Sequence, residues 1–171
     1  MNVLKRIVEI ITDFLMMIIV IAIFFALYGL FQLKIQNKPY INYFGYTFFE
    51  VVSGSMSPTI NTYDLIIVKV DNNVKKDDIV TFYVDNNFIT HRIINYINDE
   101  KILTKGDANN ANDKYISKAE IIGKVVYNIK QFGIFKRVLT NPKVIISIFA
   151  TVILFTLAFS INFEKVVNDE K

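Results

Sequence analysis

The chain has 171 residues, a formal net charge of +3 at pH 7, one histidine and no cysteine. Without cysteine there are no disulfides and no thiolate metal sites, and so small a net charge, with no basic stripe on any helix, leaves no electrostatic footprint for nucleic acid. Apolar residues make up 53% of the chain, which is high for a soluble domain, and the excess lies near its two ends.

Two uncharged apolar runs predict two transmembrane helices. The first covers residues 14–33 and the second covers residues 144–161, lengths within the range that crosses about 30 Å of hydrocarbon. A cleavable signal peptide is the alternative for the first run, but no small-x-small site follows it, which favours an uncleaved anchor. This leaves an N-terminal segment, residues 1–13, and a tail, residues 162–171, outside the two spans.

The intervening residues 34–143 predict a mostly antiparallel β domain. Short runs rich in β-branched and aromatic residues alternate with turn residues, which is typical of such sheets. The predicted strands are TFFEVV, DLIIVKV, DIVTFYV, FITHRIINYI, KILTK and EIIGKVVYNI, with a hairpin at the DNN of residues 85–87. No run in this domain keeps a helical apolar period over three turns.

Basic residues flank the predicted domain on its own side of both spans. Read mechanically, the positive-inside rule therefore places residues 34–143 in the cytoplasm, but long domains translocate largely regardless of charge. Charge alone leaves the sidedness of the domain open. The flanking residues are Lys34, Lys38, Lys136, Arg137 and Lys143.

The strand FITHRIINYI places the chain's one histidine on an apolar face. Ile89, His91, Ile93 and Ile97 share that face, and Thr90, Arg92 and Ile94 share the other. A lone histidine is more often a core residue hydrogen-bonded to backbone than a catalytic one. The functional alternative is an imidazole shielded from water, whose basicity its surroundings can tune. Taken by itself, His91 leaves both interpretations open.

The stretch KGDANNAND offers two carboxylates, Asp107 and Asp113, six residues apart. A calcium loop fails here, because Ala111 and Asn112 fall where a ligand and a glycine belong, and Lys118 stands at the position of the bidentate glutamate. The sequence therefore predicts no metal. The stretch is either a solvated asparagine-rich turn or a source of supporting acids.

The stretch VVSGSMSPTI is either a surface turn or the site of a nucleophile. A catalytic serine needs a neighbouring base and donors for the oxyanion. Gly54 is expected to let the backbone turn tightly and present Ser55, and Ser53 can lend a hydroxyl. Taken together, Ser55, His91 and Asp113 supply a nucleophile, a base and an orienting acid, one from each polar cluster.

The motif SGSMSPT resembles the signature around the nucleophile of type I signal peptidases. DDIVTF, THRI, TKGDANNAND and IIGKVVYNIKQFG follow it in that family's order. The histidine of THRI is similar to the endoplasmic-reticulum and archaeal branch, which also occurs in some Gram-positive bacteria. The resemblance implies that Ser55 is the nucleophile, His91 the general base and Asp113 the essential acid, with Asp107 and Ser53 in supporting roles.

Two positions depart from that family's pattern. Asp77 stands where the family has the glycine of Gly-Asp-Ile-Val, so the turn before that strand loses its glycine. Ala108 replaces the first asparagine of Gly-Asp-Asn-Asn, while the offset from Asp107 to Asp113 is kept.

The resemblance implies a membrane-bound serine endopeptidase that removes signal peptides from exported preproteins after small residues at −1 and −3. It implies a signal-peptidase-like β fold flanked by two transmembrane helices, with residues 34–143 extracytoplasmic and both termini cytoplasmic, in a multi-pass protein of the cell membrane. The expected partners are preproteins and the lipid bilayer, and no cofactor is needed. The alternatives are a self-cleaving repressor-type protease of related fold and a non-catalytic membrane-anchored β scaffold in secretion or coat assembly.

Overall fold

The computed structural model of the chain describes residues 3–98, 100–151 and 154. The chain begins with a helix, α1 (Val3–Lys34), whose segment Ile10–Lys34 contains an 18-residue window with a mean hydropathy of 2.8. Within the described residues α1 is the one helix long and apolar enough to cross a membrane. Only 6% of its most apolar window is buried, so it is not the core helix of the domain that follows.

Seven strands in the described part of the chain form one sheet in the order β1-β2-β7-β3-β4-β5-β6, and each neighbouring pair is antiparallel. The strands are β1 (Tyr46–Glu50), β2 (Leu65–Lys69), β3 (Ile79–Val84), β4 (Asn87–Tyr96), β5 (Lys101–Lys105), β6 (Ile116–Ser117) and β7 (Ile121–Ile129). The prediction of a mostly antiparallel β domain is confirmed. Sequence analysis missed only β6, whose two residues are too few to show alternation.

Apolar side chains pack on both faces of the sheet. Ile121 and Ile122 are neighbours on β7 yet belong to different buried clusters, because successive strand residues point to opposite faces. One cluster joins β3, β4, β5 and β6 around Phe82 and Ile93. The other joins β2 and β7 to the β1–β2 loop. The loop that carries Ser55 is therefore anchored in a core.

The prediction that Ile89, His91 and Ile93 share one face of β4 is confirmed. For Ile97 the same prediction is wrong. A register shift between Ile93 and Asn95 in the pairing of β4 with β5 inserts one extra residue, which is a β-bulge. The bulge reverses the alternation, so Tyr96 packs against the core and Ile97 is 50% exposed. A strict period of two cannot anticipate such an insertion.

The predicted hairpin between β3 and β4 is confirmed. Val84 pairs with Asn87, and the two residues between them, Asp85 and Asn86, have φ values of 49° and 63°. Two successive left-handed residues make a type I′ turn, which matches the twist of the strands that it joins. Asp and Asn tolerate this conformation better than other residues with a side chain.

In the described part of the chain, two helices follow β7. Helix α2 (Phe132–Leu139) is only two turns long, which explains why a search for a longer helical period missed it. Helix α3 (Pro142–Thr151) contains the described part of the second predicted span, and most of the remainder of residues 144–161 lies outside the described residues. The described part of α3 is shorter than a bilayer span requires, so the described residues support one spanning helix and not the predicted two.

Candidate active site

The loop between β1 and β2 holds Ser55, which is half-buried, close to two buried apolar residues. Met56 and Ile60 are each 2% exposed and pack into the core cluster on this side of the sheet. The Ser57 amide donates to the carbonyl of Gly54 at 3.0 Å, which closes a turn around Ser55. The position of the serine is thus fixed by the apolar residues beside it.

The far end of the same loop is held by a buried carboxylate, Asp64, which is 1% exposed. It accepts hydrogen bonds from the amides of Asn61 and Gln131 and from the side chain of Asn128, each at 2.9 Å. Burial alone would raise the pKa of Asp64, but these three donors and the charge of Lys130 hold it below its ordinary value. The loop is thereby tied to the end of β7.

His91 lies on β4, is 7% exposed and meets the ring of Phe82 edge-on. Its Nε2 lies 3.1 Å from the Oγ of Ser55, and its Nδ1 lies 2.5 Å from Oδ2 of Asp113. A proton on Nδ1, facing the carboxylate, leaves Nε2 free to accept the hydroxyl proton of Ser55. The three predicted residues therefore form one continuous hydrogen-bonded chain.

Asp113 is oriented by Thr104, a residue that sequence analysis did not select. The Thr104 hydroxyl donates to Oδ2 of Asp113 at 2.8 Å, and the Asp113 amide donates to the Thr104 carbonyl at 2.9 Å. Thr104 is fully buried on β5. The sequence feature that could have identified Thr104 is a hydroxyl side chain at an inward-facing position of the alternating strand KILTK.

Asp107 does not contact His91. Its carboxylate accepts two hydrogen bonds from the Arg92 guanidinium, at 2.9 and 2.7 Å, and one from the Thr59 hydroxyl at 2.6 Å. The Arg92 hydrogen bond is the main reason that the pKa of Asp107 lies below its ordinary value. Asp107 therefore links Arg92 to the serine loop. Sequence analysis could not predict this role, because Arg92 and Thr59 lie outside the motif that contains Asp107.

The backbone of Ser55 is held in place by the first residues of the loop between β5 and β6. The Ala108 amide donates to the Ser55 carbonyl at 2.8 Å, and a Cβ on Gly106 would lie 2.6 Å from that same carbonyl oxygen. Gly106 is thus required by close approach. Gly54, expected to permit a tight turn, is not in the left-handed region, and a Cβ there would meet nothing within 4 Å.

A cleft of about 610 Å³ opens at Ser55 between residues 49–53 and residues 86–91. β4 pairs with β3 along residues 87–92, whereas its pairing with β5 begins only at Arg92. In the described part of the chain, the other edge of residues 87–91 thus has no strand partner. The Oγ of Ser53 also faces the site, 3.3 Å from the Oγ of Ser55.

In the turn before β3, an aspartate stands where the signal-peptidase pattern has a glycine. Asp77 has a φ of 71°, in the left-handed region that glycine adopts most readily. Its amide donates to the Ile93 carbonyl at 3.0 Å, and its carbonyl accepts from Arg92 at 2.9 Å. This departure from the signal-peptidase pattern therefore leaves the backbone able to hold Arg92.

The geometry defines the class of protein. A serine, an imidazole and a carboxylate joined in that order are the groups of a serine peptidase, and across the described residues no three histidine or acidic side chains are grouped as a metal site requires. A family comparison agrees: residues 32–126, more than half of the chain, match the Peptidase S24-like family. The chain belongs to that family, within the S24/S26 superfamily of peptidases. A comparison with curated proteins finds no match.

Proposed function

We propose that the protein is a membrane-anchored serine endopeptidase that removes signal peptides from exported preproteins, with Ser55 as nucleophile, His91 as general base and Asp113 as orienting acid. The observation that carries this proposal is the hydrogen-bonded chain from Ser55 through His91 to Asp113. A peptidase whose own apolar helix α1 anchors it to a bilayer meets substrates that are themselves held there by an apolar segment.

The chemistry uses this chain of contacts. As Ser55 Oγ attacks the scissile carbonyl carbon, His91 Nε2 takes the hydroxyl proton, and the imidazolium is stabilised by Asp113. The Ser55 amide and the Ser53 hydroxyl are the donors for the oxyanion. His91 then gives its proton to the leaving amine, the C–N bond breaks, and an acyl ester remains on Ser55. Water, deprotonated by His91, attacks that ester and releases the new carboxyl group and the free serine.

The substrate is expected to bind as an extended strand. The free edge of residues 87–91 can pair with one side of a peptide backbone, as in other strand-addition complexes. The cleft that this edge borders is lined by Val51, Val52 and Ile89, among others. Its apolar walls suit small residues at −1 and −3, whose side chains need little depth.

The experiment that tests this function uses the full chain, purified in detergent and reconstituted into nanodiscs, with one preprotein as substrate. We expect cleavage at a single site, identified by sequencing the product's new N-terminus, and no cleavage by Ser55→Ala. Ser53→Ala should be slower than the wild type, since removing one oxyanion donor costs on the order of 100- to 1,000-fold in rate. It should still cleave measurably, because the Ser55 amide remains as a donor. Full activity of Ser55→Ala would overturn the nucleophile assignment.

The two alternatives give different results in the same experiment. A self-cleaving protease would cut its own chain without added preprotein, and a scaffold would leave both chains intact although correctly folded. Self-cleaving repressor-type proteases use a lysine as the base, whereas this chain has His91. This difference, together with the apolar helix α1, favours the signal-peptidase function over self-cleavage.

The sidedness of the domain is part of the proposal. We place residues 34–143 outside the cytoplasm and a second span at residues 144–161, which makes the protein multi-pass. Protease added outside spheroplasts should digest the domain and spare α1. If the domain stays protected until lysis, the charge rule is right and the proposed export of the domain is wrong.

A further inference from the structure

The connection between α1 and the sheet contains a second tight turn, whose residues are unusual. Tyr43 and Tyr46 form a backbone bridge, and between them Phe44 and Gly45 have φ values of 53° and 87°. A left-handed conformation is uncommon for a bulky residue such as phenylalanine. The Phe44 side chain is also 85% exposed. The turn, here called the 43–46 turn, therefore combines backbone strain with a large unburied ring.

The β3–β4 hairpin shows what this geometry ordinarily selects. Its two left-handed residues are Asp85 and Asn86, polar residues that suit both the conformation and contact with water. An Asn-Gly pair would fit the 43–46 turn equally well. Phenylalanine at position 44 is thus not explained by the turn itself. An observed outlier of this kind points to a functional constraint.

The 43–46 turn is docked onto the last turns of α1. The Tyr43 hydroxyl donates to the Phe25 carbonyl at 3.0 Å, and the Gln32 side chain exchanges two hydrogen bonds with the backbone of Asn42, at 2.9 and 3.0 Å. A Cβ on Gly29 would lie 2.8 Å from the Tyr43 hydroxyl oxygen, so glycine permits the approach. The Phe25 ring meets the rings of Tyr43 and Phe44 edge-on.

These contacts fix the depth of the turn if α1 spans the bilayer. The uncharged run of residues 14–33 is about 30 Å long at 1.5 Å per residue, which matches the hydrocarbon thickness with no length to spare. Phe25 lies eight residues before Leu33 in the chain, which is about 12 Å along the helix axis. The Tyr43 hydroxyl and the Phe44 ring, which contact Phe25, are therefore below the level at which the helix leaves the hydrocarbon. The backbone of Asn42 is bonded to Gln32, close to that level.

We infer that the 43–46 turn is a lipid-inserted wedge, with Phe44 in contact with acyl chains of the leaflet that holds the C-terminal end of α1. The occupant of this surface is the bilayer, because the turn continues the lipid-facing side of α1 and its exposed residue is aromatic. In lipid, the exposed ring no longer costs free energy, and its burial from water offsets the strain of its backbone.

The wedge sets the height of the active site above the bilayer. β1 begins at Tyr46, the last residue of the turn, and leads directly to the loop that carries Ser55. The inference rests on the proposed membrane anchoring by α1. It goes further in giving the bilayer a second contact that orients the cleft toward substrates emerging from the same leaflet.

The chain has no tryptophan, so a single introduced tryptophan reports on its own surroundings. We would compare Phe44→Trp with Phe24→Trp in α1 and Tyr115→Trp beside β6, at the opposite edge of the sheet from β1. Each full-length variant would be reconstituted into vesicles of phosphatidylcholine with brominated acyl chains. We expect several-fold quenching and blue-shifted emission at positions 44 and 24, and neither at 115.

The outcomes separate the inference from the proposed function. Quenching at position 24 without quenching at 44 would overturn the wedge and leave the anchor standing, whereas no quenching at either position would overturn both. Phe44→Asn supplies a second test, because asparagine suits the left-handed turn. We expect unchanged or higher thermal stability in detergent, an unchanged rate on a short soluble peptide, and a several-fold lower rate on a membrane-embedded precursor. A rate on the membrane-embedded precursor equal to that of the wild type would contradict the orienting role.

Discussion

The two halves of the loop between β5 and β6 hold different parts of the site. The first half, at Gly106, Asp107 and Ala108, grips the serine loop through the Ser55 carbonyl and the Thr59 hydroxyl. The second half ends in Asp113, whose carboxylate reaches His91. Two acids of one short motif thus have separate tasks, one in holding the fold around the nucleophile and one in the chemistry of the base.

This division shows how a single loop sets the distance between nucleophile and base. Ser55 lies in the loop between β1 and β2, His91 lies on β4, and each contacts one half of the β5–β6 loop. A substitution in the first half is therefore expected to displace Ser55, and a substitution in the second half is expected to change the orientation of the His91 imidazole. Substitutions in the two halves should fail in different ways, which the following predictions exploit.

Asp113→Asn should have the largest effect. The amide keeps the size of the carboxylate, but Oδ2 meets both Nδ1 and the Thr104 hydroxyl. An NH₂ group at that position would donate to Nδ1, which favours the wrong imidazole tautomer, and would no longer accept from Thr104. We expect kcat to fall on the order of 10⁴-fold with little change in thermal stability. The matched variant is Asp107→Asn, measured on the same preprotein. A loss below tenfold for Asp113→Asn would mean that His91 works without its acid.

His91→Lys should be nearly inactive at neutral pH, with a loss on the order of 10³-fold. A lysine base must be neutral, and a carboxylate within hydrogen-bond reach stabilises the ammonium form instead. Cleavage rates of the variant and the wild type at neutral pH would check this. The double variant His91→Lys/Asp113→Asn should cleave faster than His91→Lys alone, because no carboxylate then stabilises the ammonium form. If His91→Lys cleaves at the wild-type rate, Asp113 does not act on the base.

Gly106→Ala tests the first half of the loop. The added Cβ would lie 2.6 Å from the Ser55 carbonyl oxygen, a backbone atom, so the serine loop must move. A displacement of about 1 Å costs on the order of 100-fold in kcat, and we expect a loss of that size together with a lower melting temperature. Gly54→Ala, whose Cβ meets open space, should melt like the wild type. Equal melting of both variants would show that the contact is not a constraint.

Asp107→Asn should destabilise the fold more than it changes the chemistry. It removes charge-assisted hydrogen bonds to Arg92, and a loss of about 2 kcal/mol in unfolding free energy is expected. Because the folded-state pKa of Asp107 is lowered, this contribution is fully present above the unfolded value near 3.8 and is lost as the pH falls through the folded value. Thermal unfolding at several pH values should show the variant and the wild type converging in acid. A constant difference would place the effect outside the ion pair.

Sequence analysis predicted what local pattern and motif order encode. Alternation gave six strands, and the ordered motifs selected Ser55, His91 and Asp113, which the structure brings within hydrogen-bond reach. It could not predict the bulge after Ile93, because an inserted residue depends on how β4 pairs with β5. It also missed Thr104, since the partner of a buried carboxylate is set by tertiary packing.

The same limit applies to residues that act through backbone shape. Sequence analysis noted that the turn before β3 loses its glycine, and the structure shows that Asp77 itself adopts the left-handed conformation. It gave Gly54 a role in turning the chain that the backbone does not require. Whether a glycine is needed depends on φ and on neighbouring atoms, and neither is written in the motif.

Asp77→Gly should have the smallest effect, and it sharpens the account of how the first half of the loop is held. Asp77 offers Arg92 its carbonyl oxygen, which any residue retains, so kcat should not change. Glycine relieves the left-handed strain but loses more entropy on folding, at about 0.5–1 kcal/mol, so stability should rise by less than about 1 kcal/mol. Asp77→Asn should be neutral and Asp77→Val should cost about 1–2 kcal/mol, because a β-branched residue tolerates this conformation poorly. Thermal unfolding of the three variants gives the order. A loss of stability in both Asp77→Gly and Asp77→Asn would show that the Asp77 charge, acting on Arg92, matters more than its backbone conformation.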